Sequence, residues 1–349
     1  MVRPVVLRSF ICCAVVAFIF FVYSISSART VAMTSTLFVG GARIEVVINS
    51  GSPRLPLDDV LSWVKSAGES VRVYYGRFPI SLVYVRIEPF HGRGIRNGMA
   101  FGAVDGGRII IRVGSETSTA EFTSDWTLTH EMVHLAFPSV AEKHHWIEEG
   151  IATYVEPIAR IRAGHLTPEK MWADLVWDMP QGLPQRGDRG LDRAHTWGRT
   201  YWGGAIFCLL ADVDIRRQTN NTKGLEHALR AVLDAGGDIR HDWDLLQALT
   251  VGDRATGTTV LQSLYEEMKD TPMKADLDAL WADLGVRFDG HEVRFDESAR
   301  LAAIRRAITG DPQCAAESSP PERSTMIFAG RTAGRRWPGR RIEAARERN

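Results

Sequence analysis

The chain has 349 residues, of which 45% are hydrophobic, 24% charged and 9% aromatic, an ordinary globular composition that excludes a disordered chain, a collagen-like fibre and a disulfide-dense mini-protein. Its 42 basic and 42 acidic residues sum to a formal charge of zero, which speaks against nucleic acid as a partner. That zero is a cancellation between segments: outside 1–28 and 311–349, 32 basic residues meet 37 acidic ones, so the body of the chain is mildly acidic.

In chain order, Arg3 and Arg8 precede an uncharged apolar run over 10–25, and Ser26, Ser27 and Ala28 follow. This is the charged, apolar, small-residue order of a secretory signal over 1–28. An uncleaved membrane anchor is the alternative, because the run approaches bilayer-spanning length. The expectation is an exported chain, periplasmic or secreted, or one associated with the membrane through that segment. Cys12 and Cys13 fall inside the run as apolar filler. Cys208, in an apolar helical pattern, and Cys314, in a polar tail, remain; with no zinc-knuckle spacing, any metal must be held by His and carboxylates.

Alternation of β-branched residues around Gly40-Gly41 predicts a hairpin over 36–49, and the period of Leu57, Leu61, Val64, Val71 and Tyr75 predicts a helix. Strands are predicted over 81–88 and 109–113, separated by the Gly-rich segment 91–107. Residues 29–124 therefore read as a small mixed sheet with one long helix. From 125 to 310 the character is helical, with candidates over 125–137 (ended by Pro138), 146–155 (ended by Pro157), 200–217, 224–235, 258–269, 274–284 and 297–308. Residues 177–198, rich in Gly, Pro, Arg and Asp, read as a long functional loop. From Asp311 to the end, Pro, Ser, Arg and Gly predict a disordered basic tail, with contact to an anionic surface as the other reading. The fold class is α+β: an N-terminal sheet with a helix, then an active-site helix and a mainly helical C-terminal subdomain.

The segment that carries chemistry is His130-Glu131-Met132-Val133-His134. On a helix, residues four apart project from one face, so His130 and His134 can ligate one Zn²⁺, with Glu131 beside them as base for an activated water. A catalytic zinc site needs a third protein ligand and an open position. The next predicted helix, Trp146-Ile147-Glu148-Glu149-Gly150-Ile151-Ala152, offers Glu149 after a short connection over 139–145. Glu156, two turns on, shares its side and is a candidate to orient His134 or His130. The bland alternative is that the motif is a coincidence in a core helix.

The pair HEMVH and WIEEGIATYVE resembles the zinc-peptidase clan of thermolysin and aminopeptidase N, the gluzincins, in its peptidase-MA-like branch. The resemblance implies His130, His134 and Glu149 as zinc ligands, Glu131 as general base, and a sheet over the active-site helix. Fourteen residues separate His134 from Glu149, fewer than in those archetypes. The longer metzincin pattern is absent, since Phe137 and Val140 stand where its glycine and third histidine would be. By the same resemblance Tyr201, in Arg199-Thr200-Tyr201-Trp202-Gly203-Gly204, is the candidate hydroxyl for the tetrahedral oxyanion; the alternative is a tyrosine anchoring a helix start. Residues 97–102, Asn-Gly-Met-Ala-Phe-Gly, fall where the clan has its substrate-binding edge strand, but without the glutamate that captures a free amine.

His144 and His145 read as solvent-facing rim residues of the connection, with ligation or proton donation as the alternative, and His195 as a loop residue or second electrophile. Glu148 and the acids Asp276, Asp278 and Asp283 read as solvated. The expectation is a zinc metallopeptidase acting on peptide or protein, cutting with Glu131 as base and Tyr201 as oxyanion donor. Against it stand a non-catalytic zinc-bearing binding or scaffold module of the cell envelope, and a structural domain without metal. Oligomeric state, substrate sequence and cutting mode are not legible.

Overall fold

The computed structural model describes residues 33–49, 55–290 and 292–310. The signal segment 1–28 and the tail 311–349, with Cys12, Cys13 and Cys314, lie outside the described residues. Among the described residues no helix is long and apolar enough to cross a membrane.

Strands β1 (Met33–Val39) and β2 (Ala42–Ile48) form the expected hairpin, turning through Gly40 and Gly41 at φ 53 and 81, a left-handed backbone that glycine adopts freely. Helix α1 (Leu57–Tyr75) follows, with Asp58 and Asp59 in its first turn and Gly76 closing it at φ 77. Strands β3 (Leu82–Phe90), β4 (Ile95–Ala103) and β5 (Gly106–Gly114) complete a five-stranded sheet in the order β1-β2-β3-β5-β4. The pairs β2/β3 and β3/β5 are parallel, while β1/β2 and β4/β5 are antiparallel. The sheet is mixed, as the sequence implied, and β4 lies at its edge.

Alternation decides which face is covered. Val39, Ile44, Val46, Val83, Val85, Ile87, Ile109, Ile111 and Val113 are buried, as are Val60, Val64, Ala67 and Val71 of α1. Residues between them, such as Arg43 and Arg112, are exposed. Gly68 lets α1 close onto the strands, since a Cβ there would meet Val39 at 3.2 Å.

After a short helix α2 (Thr119–Ser124), closed by a Ser118–Glu121 capping box, come α3 (Thr127–His134) and α4 (His145–Arg162). The helix expected to end before Pro157 in fact runs through it. Proline removes the bond that its N–H would give to the Thr153 carbonyl, but Ile151, Tyr154, Val155, Ile158 and Ile161 are all buried, so packing on several sides holds the helix together.

Helices α5 (Pro168–Asp178), α6 (Trp197–Gln218), α7 (Leu225–Asp234), α8 (Leu245–Thr256), α9 (Val260–Met268), α10 (Leu277–Leu284) and α11 (Ala302–Thr309) complete the helical part, with a small hairpin of β6 (Val286–Phe288) and β7 (Val293–Phe295). Three helices, α2, α5 and α8, were not expected. Two carried readable signals: Thr167, which caps α5 by accepting from the Lys170 N–H, is followed by Pro168, and α8 lies between the Asp244 cap and Gly257 at φ 75. The supposed loop 177–198 is partly structured, with 3₁₀ turns at Met179–Gly182 and Leu191–Arg193. Cys208 is buried in α6, as its apolar neighbours implied.

Candidate metal centre

Helix α3 is short, buried on nearly all sides, and anchored at its start by Asp125, which accepts from the Leu128 N–H at 3.1 Å and from Trp63 Nε1 at 2.9 Å. It packs against α1, α4 and β4, placing His130 and His134 toward α4 and Glu131 toward the sheet edge. From α4, Glu149 reaches the histidines: its Oε2 lies 3.1 Å from His130 Nε2 and 3.6 Å from His134 Nε2.

These three residues form a group whose ligand atoms lie within 4.8 Å of one another. Tetrahedral zinc with ligands at about 2.0–2.1 Å sets neighbouring donors about 3.3 Å apart. The two Glu149 distances bracket that value, and two imidazoles with one carboxylate are a donor set that zinc takes, so these residues fit the ion.

The electrostatics follow from burial and crowding. Burial lowers the pKa of His130. Burial also works against charge on His134, but Glu149 outweighs it and pushes His134 up to about 9. Burial disfavours charge on Glu149 too, yet His134, His130 and His145 hold that carboxylate well below its usual range. Desolvation raises Glu131 to about 7, partly countered by His134 and by a hydrogen bond from the Ala100 backbone of β4.

Gly98 makes that contact with β4 sterically feasible. A Cβ at this position would stand 2.3 Å from Glu131 Oε1. Strand β4 is the segment that periodicity read as a Gly-rich connection and that the resemblance assigned to an edge strand. It is a strand, with an irregularity between Arg96 and Gly98 where Asn97 takes φ 45.

Tyr201 sits in the first turns of α6, its ring stacked on His130 at 6.0 Å with 10° between planes. Burial, then Glu149 and Glu131, raise its pKa far above the ordinary tyrosine value, so it remains a proton donor. The crossing of α4 and α6 accounts for the placement. A Cβ on Gly150 would lie 2.4 Å from Gly204 backbone atoms, and one on Gly204 only 2.1 Å from the Trp146 carbonyl. The two backbones touch one residue beyond Glu149 and less than a turn beyond Tyr201.

Three expectations, for Glu156, His144 and Glu148, need correction. Glu156 does not orient a histidine; it pairs with Arg160 at 3.0 Å, and both are buried. His144 is buried rather than solvent-facing, with Nδ1 2.9 Å from Asp192. His145 is exposed, as expected of a rim residue, and lies 3.0 Å from Glu148 and 3.3 Å from Glu149, carboxylates that push it up to about 10. Glu148 is half-buried and accepts from the Val140 N–H at 3.1 Å, which ties the connection to α4. His195 is exposed, Asp276 caps α10, and Asp283 pairs with Arg300.

Sequence reasoning missed Asp192. Its Oδ1 takes His144 and Trp146 Nε1 at 2.9 Å each, and its Oδ2 accepts from the Tyr265 hydroxyl at 3.0 Å. It thereby pins the start of α4, one turn before Glu149, to α9. No local motif marks an acid whose three partners lie 46 to 73 residues away.

No family model matches the chain, and no curated protein matches it. Among solved structures, the chain is similar to an aminopeptidase N family protein from Idiomarina loihiensis, with a TM-score of 0.56 at 13% identity over 73% of this chain and 49% of that one. An M1 zinc metallopeptidase from Deinococcus radiodurans is more distant, with a TM-score of 0.48 at 15% identity over 71% of this chain and 53% of that one. The chain thus spans about half the length of these proteins. Its fold is gluzincin-like, an α+β arrangement with the mixed sheet ahead of the helical region.

Proposed function

We propose that this gluzincin-like chain is a zinc-dependent metallohydrolase that cuts peptide bonds in peptide or protein substrates. The observation that carries the reading is the convergence of His130, His134 and Glu149 within 4.8 Å, with Glu131 set between that cluster and a sheet edge. His130, His134 and Glu149 would hold the ion. When bound, zinc supplies Lewis acidity that polarises a carbonyl oxygen and makes water a stronger acid.

The chain's own groups do the rest. Glu131 takes the proton of the attacking water and returns it to the leaving amine, a role that calls for a base titrating near neutral pH. The Tyr201 hydroxyl, protonated across the working range, donates a hydrogen bond to the developing oxyanion. Strand β4, as the sheet's edge, pairs with an extended peptide through its backbone. Residues 97–102 hold no glutamate for a free amine, so recognition of the chain end has no support in this segment. In this reading the chain works outside the cytoplasm, exported by 1–28 or held at the membrane through it.

The test is Glu131→Gln in the zinc-loaded chain, with digestion of a peptide library followed by mass spectrometry. The variant should keep one equivalent of zinc and lose about 10²- to 10⁴-fold in rate. Full activity in the variant would remove the mechanism. A wild-type chain that holds zinc without turnover would be a metal-bearing binding module, and one that holds no zinc would leave HEMVH as a core-helix motif.

A further inference from the structure

The two oxygens of Glu149 have different neighbours. Oε2 meets the histidines of α3, 3.1 Å from His130 Nε2 and 3.6 Å from His134 Nε2. Oε1 instead meets His145 Nε2 at 3.3 Å. His145 opens α4 four residues before Glu149, so one turn of helix sets the imidazole beside the carboxylate.

That imidazole is held from its other side. Its Nδ1 is hydrogen-bonded to Glu148 Oε2 at 3.0 Å, and Glu148 Oε1 accepts from the Val140 N–H at 3.1 Å. The backbone is fixed next to this point, where Ser139 donates its N–H to the His241 carbonyl at 3.0 Å and accepts from the Trp243 N–H at 2.9 Å. The residues on either side of His145 are pinned as well, His144 and Trp146 each to Asp192 Oδ1 at 2.9 Å. A line of polar contacts thus runs from Val140 through Glu148 and His145, and ends on the Glu149 oxygen that does not meet the histidines of α3.

Folding stability gives little reason for this arrangement. The His145 side chain is 47% exposed, and ion pairs so exposed contribute little. The effect falls on the carboxylate. A carboxylate can give a metal one oxygen or both, and a second oxygen would fill the position that a catalytic site keeps open. A partner on Oε1 leaves Oε2 as the oxygen to give.

We infer that His145 is a positioning residue: it holds Oε1 of Glu149 so that the carboxylate offers a metal Oε2 alone. The inference rests on the metal-binding part of the proposed function and not on peptide cleavage. It is tested by zinc affinity in chelator competition and by the visible absorption of the cobalt-loaded chain. His145→Ala should weaken zinc binding about 10- to 100-fold, the usual cost of losing a group that orients a ligand. It should also weaken the cobalt bands, as a second oxygen on the metal does. His145→Gln, whose amide N–H can stand near the place of Nε2, should recover most of both. His91→Ala, at an exposed histidine in the turn between β3 and β4, should match the unaltered chain. The unfolding midpoint of the metal-free chain should be the same in every variant, and a lowered midpoint in His145→Ala would make His145 a structural residue and overturn the inference. Unchanged zinc affinity in His145→Ala overturns it too, as does equal loss in His145→Ala and His145→Gln, the mark of a residue that binds the metal itself. A chain that shows the expected series yet cuts no peptide keeps the positioning residue and loses the peptidase reading. An unaltered chain that takes up no zinc overturns both.

Discussion

Glu131 reaches the sheet edge because Gly98 has no side chain there. A methyl group on Gly98 would press on the end of a flexible carboxylate rather than on backbone, so the strand can accept it while the carboxylate moves away. Gly98→Ala should therefore change stability by less than about 1 kcal/mol yet lower kcat/KM about a hundredfold, the cost of displacing a reacting group by an ångström. Thermal unfolding and peptide kinetics on the same preparation check both halves. Glu156 yields a second prediction, on stability. Burial raises its carboxyl to about 7 against the pull of Arg160. Between the unfolded value of about 4.5 and 7 the folded chain holds a proton that the unfolded chain releases, so folding stability falls as pH rises through this window. The fall should reach on the order of 3 kcal/mol by pH 8. Glu156→Gln should flatten that slope in denaturant titrations, and an unchanged slope would show that the carboxyl is ionised throughout.

At the scale of elements, the site depends on how closely α4 and α6 cross. Glu149 and Tyr201 meet because Gly150 and Gly204 let the backbones touch. Gly150→Ala forces backbone against backbone, where no flexible tip can yield, and should cost about 1–3 kcal/mol as an overpacked contact. Because the separation falls between Glu149 and Tyr201, kcat should drop as well, and calorimetry with steady-state kinetics tests the pair of effects. Most of the helical elements were readable where the apolar period is clear, as for α1 and α7. Strand β4 was not readable from periodicity: its glycines leave no apolar stripe, and its pairing with β5 comes from a partner strand rather than from its own side chains. The passage of α4 through Pro157 was hidden for a related reason, since a local breaker signal yields to burial on several sides, which only the packed chain supplies.

Across the whole molecule, the site is a junction of the two structural classes. The metal-ligand candidates come from α3 and α4, the hydroxyl from α6 and the edge from β4, while the sheet, α1 and the C-terminal helices bury their own apolar faces. Because that core does not depend on an ion, removal of metal should leave helix and sheet content unchanged by circular dichroism. Zinc at about a hundred times its dissociation constant should then raise stability by about 2.7 kcal/mol through binding to the folded state. Collapse on chelation would instead mean that the ion holds α3 onto α4.

The sequence by itself determined the fold class, the helix that bears His130 and His134, and the nearness of Glu149. These are local: one turn of helix puts two imidazoles on one face whatever surrounds it. Tyr201 and 97–102 were reached only through the family resemblance, since no local pattern marks them. Tertiary structure decided what needs partners distant in sequence: Glu131 against Gly98, the glycine crossing of α4 and α6, the pairing of Glu156 with Arg160, and the hold of Asp192 on the start of α4. A carboxylate in a sequence is only a charge, and whether it becomes base, ligand, ion-pair partner or anchor depends on which backbone and side chains packing sets against it.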